Sequence, residues 1–273
     1  MKFTVGFSPC PNDTFIFYAL LLHKINTSGL EFEPVMEDVE TLNRKAFKTE
    51  LDITKMSFAA YKLVQDQYQL LDAGSALGYK CGPILISKRR IAEAELNSCS
   101  VAIPGRNTTA NFLLSFFFPS LKEKKEMIFS SVEDSVLNEQ ADLGVIIHEN
   151  RFTYEKKGLR KVADLGELWE EKTKFPIPLG GIFLKSTMSS EIARKIDSII
   201  RDSVTYAFDH PEEAIEFVKK HSQEMDEEVM WQHIRLYVND YTISLGKTGK
   251  AAVNEFLAIA DNDNTTALDQ SLL

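Results

Sequence analysis

Cysteine is scarce in this chain: 273 residues contain three, Cys10, Cys81 and Cys99, an odd number with no C-x-x-C pair. Such spacing builds neither a disulfide framework nor a zinc cluster, so reduced thiols are expected. An excess of positive charge is also missing, with 31 Lys and Arg against 40 Asp and Glu and a net charge of -9. Polyanions are held by clustered cations, so nucleic acid is not an expected partner. The short run Lys88-Arg89-Arg90 is too small to alter that. No apolar run approaches the roughly 18 to 20 residues of a membrane span. The first residues lack the basic stretch, apolar run and small-residue cleavage site of a secretory leader. The expectation is a cytoplasmic protein with no membrane partner. Three catalytic signatures are absent as well: the phosphate loop G-x-x-x-x-G-K-[ST], the serine elbow G-x-S-x-G and the zinc-protease H-E-x-x-H.

What is present is the material of a globular α/β protein. At 44% hydrophobic and 26% charged residues the chain can bury one large core or two modest ones. Short apolar segments, from Lys2–Phe7 through Met127–Phe129 to Gly181–Leu184, alternate with helical stripes. That pattern predicts a largely parallel sheet covered by helices. From Ser189 onward only helices are predicted: Ile192, Ile196, Ile199, Ile200 and Val204 form the first apolar stripe. They must pack on sheet made earlier in the chain.

Two apolar strands with glycines, "CGPILISK" (Cys81 to Lys88) and "IPLGGIFLK" (Ile177 to Lys185), read as bridges between two lobes. The predicted lobes are residues 1–85 with 185–273, and an inserted 86–184. One continuous sheet is the alternative that pattern alone leaves open.

Three strand-to-helix turns carry an unusual density of polar residues. In "GFSPCPNDTFIFYAL", Pro9 and Pro11 stiffen the approach, Asn12 or Asp13 can cap the helix, and Ser8 and Cys10 stand at the strand's end. In "IPGRNTTANFLLSFFF", Thr108 or Thr109 opens a helix with hydroxyls and free N–H groups suited to a carboxylate. In "DITKMSFAAYKLV", Lys55 can offset an anion, Met56 follows, and Ser57 caps or donates. Stiff, well-capped turns and a solvated lysine are the plain reading of each. Taken together they point to a small anionic ligand beyond the carboxyl ends of strands.

Of five histidines, His148 alone ends a clear buried strand, "LGVIIHEN". There an imidazole with an ordinary pKa of about 6.5 suits proton abstraction. His23, His210, His221 and His233 lie in or beside helices and read as surface or packing residues. Cys10 is a candidate nucleophile, favoured by a helix N-terminus, or a small apolar filler.

The segments "GFSPCPNDTFIFYAL", "TKMSFAAY", "GYKCGPILISK", "PGRNTTANFLL", "ADLGVIIHENRFTY" and "FPIPLGG" together resemble the 1,4-dihydroxy-6-naphthoate synthase family of the futalosine route to menaquinone. The likeness runs from the first strand to the second bridge and is weak beyond Ser189. It implies a two-lobed periplasmic-binding-protein-like (type II) fold with a central cleft, and no metal or organic cofactor. It also implies a carbon–carbon lyase acting on cyclic dehypoxanthine futalosine. By the same resemblance His148 matches the proton acceptor, and Lys55, Met56, Ser57, Thr108 and Thr109 match substrate-binding positions. Chorismate dehydratase, of the same pathway and fold, resembles these segments less closely. A non-catalytic cytoplasmic small-anion-binding protein is the alternative from another class. Oligomeric state is not readable from the sequence.

Overall fold

A computed structural model describes residues 1–222 and 226–262. Among the described residues eleven strands form two separate sheets. They are β1 (Lys2–Phe7), β2 (Glu31–Met36), β3 (Ile53–Ser57), β4 (Tyr68–Leu70), β5 (Ala76–Gly78), β6 (Ile84–Ser87), β7 (Val101–Ile103), β8 (Lys124–Glu126), β9 (Leu143–Ile146), β10 (Arg160–Asp164) and β11 (Ile177–Lys185). The first sheet runs β2-β1-β3-β11-β4, with β5 also on β11; the second runs β10-β6-β9-β7-β8. A single continuous sheet is therefore not the architecture. β6 lies wholly in the second sheet and β11 wholly in the first, so the chain changes sheet between Gly78 and Ile84 and again between Asp164 and Ile177. The positions 85/86 and 184/185, predicted as lobe boundaries, fall inside β6 and at the end of β11.

The prediction of a largely parallel sheet needs correction. β1 is parallel to β2 and β3, and β7 to β8 and β9. However, β11 is antiparallel to β3, β4 and β5, and β6 to β9 and β10. The cause is topological: a strand returning from the other sheet enters from the far end and runs against its neighbours. The predicted strand Met127–Phe129 is displaced too. β8 is the polar Lys124–Glu126, and Phe129–Ser131 is a 3-10 turn. An edge strand paired on one side tolerates lysines that periodicity argues against.

Four helices position the cleft: α1 (Pro11–Leu21), α2 (Val39–Phe47), the single turn α3 (Phe58–Tyr61) and α4 (Thr109–Phe117). α1 begins on Pro11, whose missing N–H costs nothing at a first turn, and is buried from Pro11 to Leu20. A helix apolar almost all round has to be enclosed. Helices Ser190–Asp209 and Pro211–His221 cover it. In the former, Ser189 caps the Ile192 N–H at 3.3 Å, and Ile196, Ile199, Ile200 and Val204 are buried. Each such side chain contributes roughly 1.5–3 kcal/mol, so Ile200→Ala is the kind of change that costs about 2–5 kcal/mol.

One apolar cluster runs beneath both sheets, joining Phe58 and Phe183 to Phe112, Trp169 and Phe256. Where the chain crosses, Gly82 lies so close to Gly166 that an added Cβ would sit 2.3 Å from its Cα. No helix among the described residues is long and apolar enough to cross a membrane.

Candidate active site

The cleft between the sheets holds about 690 Å³ of space not filled by protein atoms, part of it open to solvent. Ser8, Asn12 and Asp13 line it from the β1–α1 turn, and Lys55, Met56 and Ser57 from β3. Thr108 and Thr109 at the start of α4, and His148 after β9, complete it from the second sheet. Chain segments far apart in sequence converge because each ends a strand at the same side of its sheet, where ligands of open α/β folds bind.

Lys55 lies within β3 rather than in the turn, and it is not a solvated lysine. It is 5% exposed, with Nζ 2.8 Å from Asp13 Oδ1 and donating to the Gly74 carbonyl at 3.0 Å. Asp13 does not cap α1; the cap is Cys10, whose carbonyl accepts from the Asp13 and Thr14 N–H groups. The Asp13 carboxylate instead accepts from the Ser8 N–H (3.1 Å) and Oγ (2.7 Å) on Oδ2 and from Asn12 Nδ2 (2.9 Å) on Oδ1. A buried ion pair persists when its remaining lone pairs are filled in this way. The cation expected for a ligand is thus already balanced by a residue of the first turn.

The threonines differ from expectation as well. Thr108 caps α4 by accepting from the Asn111 N–H at 3.2 Å, while its hydroxyl donates to the Gly105 carbonyl at 2.9 Å. Thr109 Oγ1 donates across to the Leu179 carbonyl of β11 at 2.8 Å. Both hydroxyl protons are spent on backbone, so neither is a free donor to a carboxylate. The donors that α4 offers to the cleft are the first-turn amides of a capped nine-residue helix.

His148 adopts a left-handed backbone, φ 58°, which turns the chain sharply after β9. Neither ring nitrogen is engaged by a described side chain or backbone group, and Nε2 is buried without a partner. Burial pushes its pKa down to about 4; the charge of Asp13 opposes this and that of Lys55 reinforces it. As a whole residue His148 is half-buried, which softens the desolvation but not its direction. At neutral pH the imidazole is a free base, more firmly neutral than its ordinary pKa implies. Phe129 meets its ring edge-on at 5.0 Å.

On the other side lies His233, its ring 5.9 Å from His148 and tilted only 21°. His233 is no surface residue: it is fully buried on helix Glu227–Tyr237, and Nε2 stands 2.8 Å from Asn12 Oδ1. One turn along the same helix, Tyr237 reaches the cleft wall. Asn43 of α2 was also missed; its Oδ1 accepts from the Ser57 N–H at 3.0 Å and its Nδ2 donates to the Asn107 carbonyl at 3.2 Å. Periodicity assigns such residues to helix faces, and nothing local marks them as polar partners of a distant turn. Cys10 stands apart from the rest: it is buried, does not line the cleft, and desolvation holds its thiol well above the usual range. A thiol kept protonated is a poor nucleophile.

A family profile described as menaquinone biosynthesis matches residues 3–262. The chain is 44% identical over 257 residues to a 1,4-dihydroxy-6-naphthoate synthase of Thermus thermophilus, covering 94% of this chain and 93% of that protein. It is 38% identical over 261 residues to the enzyme of that name from Streptomyces coelicolor, covering 94% and 92%. A crystal structure of an Archaeoglobus fulgidus protein, 38% identical, superposes with a TM-score of 0.90 over 96% of this chain and 98% of that one. A Candida albicans protein with the generic periplasmic binding protein fold superposes at 0.67 over 100% and 93%, with 13% identity, a likeness of fold alone. With the profile spanning nearly the whole chain and two relatives well above 30% identity, this protein belongs to the menaquinone biosynthesis family.

Proposed function

We propose that this chain is a cytoplasmic carbon–carbon lyase that converts cyclic dehypoxanthine futalosine into 1,4-dihydroxy-6-naphthoate, with His148 as general base. The observation that carries the mechanism is a neutral imidazole whose buried Nε2 has no hydrogen-bond partner among the described residues, in a cleft shared with a buried Lys55–Asp13 pair. The names and coverage of the two relatives support the reaction class.

His148 removes a proton from the carbon beside the substrate ketone, and the electrons enter an enolate. The bond to the sugar-derived fragment then breaks, its electron pair entering the ring as that becomes aromatic while the fragment loses a hydroxyl proton and departs as a carbonyl compound; aromatisation drives the step. The anionic end of the substrate lies at the N-terminus of α4, where amides and the helix dipole favour negative charge. Lys55, Met56 and Ser57 form the opposite wall. The two sheets with their helices act as lobes that close over the substrate, exclude water and align base with carbon. The segments Tyr79–Pro83 and Lys174–Pro176 serve as the hinge.

The test is incubation of purified protein with cyclic dehypoxanthine futalosine and, separately, with chorismate. Naphthoate formed from the first supports the proposal. Dehydration of chorismate alone assigns the chain to the other enzyme class of the pathway, and binding without turnover of either assigns it a non-catalytic role.

A further inference from the structure

The donor groups of Asn12 and Lys55 can be counted. Asn12 Nδ2 carries two hydrogens, of which one goes to Asp13 Oδ1 at 2.9 Å. Lys55 Nζ carries three; one meets Asp13 Oδ1 at 2.8 Å and one the Gly74 carbonyl at 3.0 Å. One N–H of each is left, both residues line the cleft with His148, and no other described group receives them. The direction of the amide is settled as well. A carboxylate only accepts, so the Asn12 nitrogen must face Asp13 and its oxygen must face His233. His233 is therefore the tautomer that donates from Nε2.

We propose that Asn12, with Lys55 beside it, stabilises the oxyanion formed when His148 takes the substrate's proton, and that His233 is the positioning residue that holds the Asn12 amide in its donating orientation. This rests on the reading of His148 as general base. In the step, the C–H bond breaks and its proton passes to the imidazole. Its electron pair becomes the new C=C bond, and the carbonyl π pair moves to oxygen, where the two N–H groups meet it. No oxidant or further reactant is needed. The site is nearly dry, Asn12 and Lys55 each being 5% exposed, and in such surroundings fixed donors act more strongly than water does. The neighbouring Lys55–Asp13 pair adds no net charge that would hold the oxyanion too tightly in the product.

Asn12→Leu, close in shape but without donors, tests this. The expected result is a kcat lower by roughly 10²–10³-fold, the cost of one such donor, with KM little changed and the acid limb of kcat/KM retained. His233→Phe keeps a flat ring but loses the Nε2 donor, and lowers kcat on the order of 10-fold; His233→Gln, which can still donate to Asn12, restores most of it. A hydroxynaphthoate titrated by absorbance binds wild type as the naphtholate and binds Asn12→Leu as the neutral naphthol. Should Asn12→Leu not fold, Asn12→Ala, which also lacks a side-chain donor, is read the same way. A folded Asn12 variant with unchanged kcat, or with loss confined to KM, overturns the proposal. His148→Asn separates the two readings: if it leaves turnover intact the base assignment fails, whereas naphtholate binding that still depends on Asn12 leaves the oxyanion site standing.

Discussion

Glu40 of α2, which packs on the first sheet, reaches the turn that follows β7 of the second and accepts two hydrogen bonds from Asn107, at 2.7 Å from its side chain and 3.0 Å from its backbone N–H. Asn107 is the residue before Thr108, so the carboxylate anchors the turn that opens α4. Arg44, one helical turn on, pairs with Glu40 at 3.0 Å and with Glu126 at 2.6 Å. Glu40→Ala leaves two buried donors without partners, a loss of about 1–3 kcal/mol. The expected outcome is a lower Tm together with a raised KM, because the turn that Glu40 anchors is the one proposed to hold the substrate. A raised kcat with unchanged KM would show instead that opening limits turnover.

His148→Asn retains bulk and some hydrogen bonding but no proton acceptor, so substrate binding survives while kcat falls by roughly 10²- to 10⁴-fold. In the wild type, kcat/KM falls as pH drops through about 4, since the protonated ring cannot accept a proton. That limb is absent in the variant. Stability follows the same group. Its folded pKa lies below the unfolded value of about 6.5, so its contribution is complete above that value and is lost as pH falls toward about 4. Acid titration of unfolding is accordingly flatter for His148→Asn in that window.

Thr108→Val removes the cap of α4 and the bond to Gly105. Loss of a cap costs about 0.5–2 kcal/mol, measurable as a shift in denaturant midpoint. A rise in KM is expected beside it, because the same loss frees the first-turn amides from their orientation. An unchanged midpoint would contradict the capping role.

Lys55→Ala strands Asp13 with its charge in a buried site. Breaking one side of a buried pair costs about 3–5 kcal/mol, more than an exposed lysine ever contributes. Chemical denaturation of Lys55→Ala against the double variant Lys55→Ala/Asp13→Asn reads this directly: the second substitution recovers part of the loss.

All three cysteines are buried, and burial raises each thiol's pKa, Cys81 to about 12. Thiol reagents at neutral pH therefore label the native protein slowly and the unfolded chain at once. Cys10→Ala retains turnover. Rapid labelling of Cys10 with loss of activity would return it to the list of nucleophiles.

By itself the sequence determined what is local. Alternating apolar runs and stripes marked the α/β class and most strands, because burial of one face repeats at two residues in a strand and 3.6 in a helix. The polar strand-to-helix turns and the strand-end His148 were visible for the same reason: caps, prolines and strand ends act over a few residues. Tertiary structure alone decided how those pieces face one another. It ran β11 against β3, set Asp13 beside Lys55, and spent the threonine hydroxyls on Gly105 and Leu179. It also brought His233 to Asn12 across 221 residues. Hydrogen-bond partners and desolvation depend on which groups share a buried volume, and that volume exists only once distant segments have packed together.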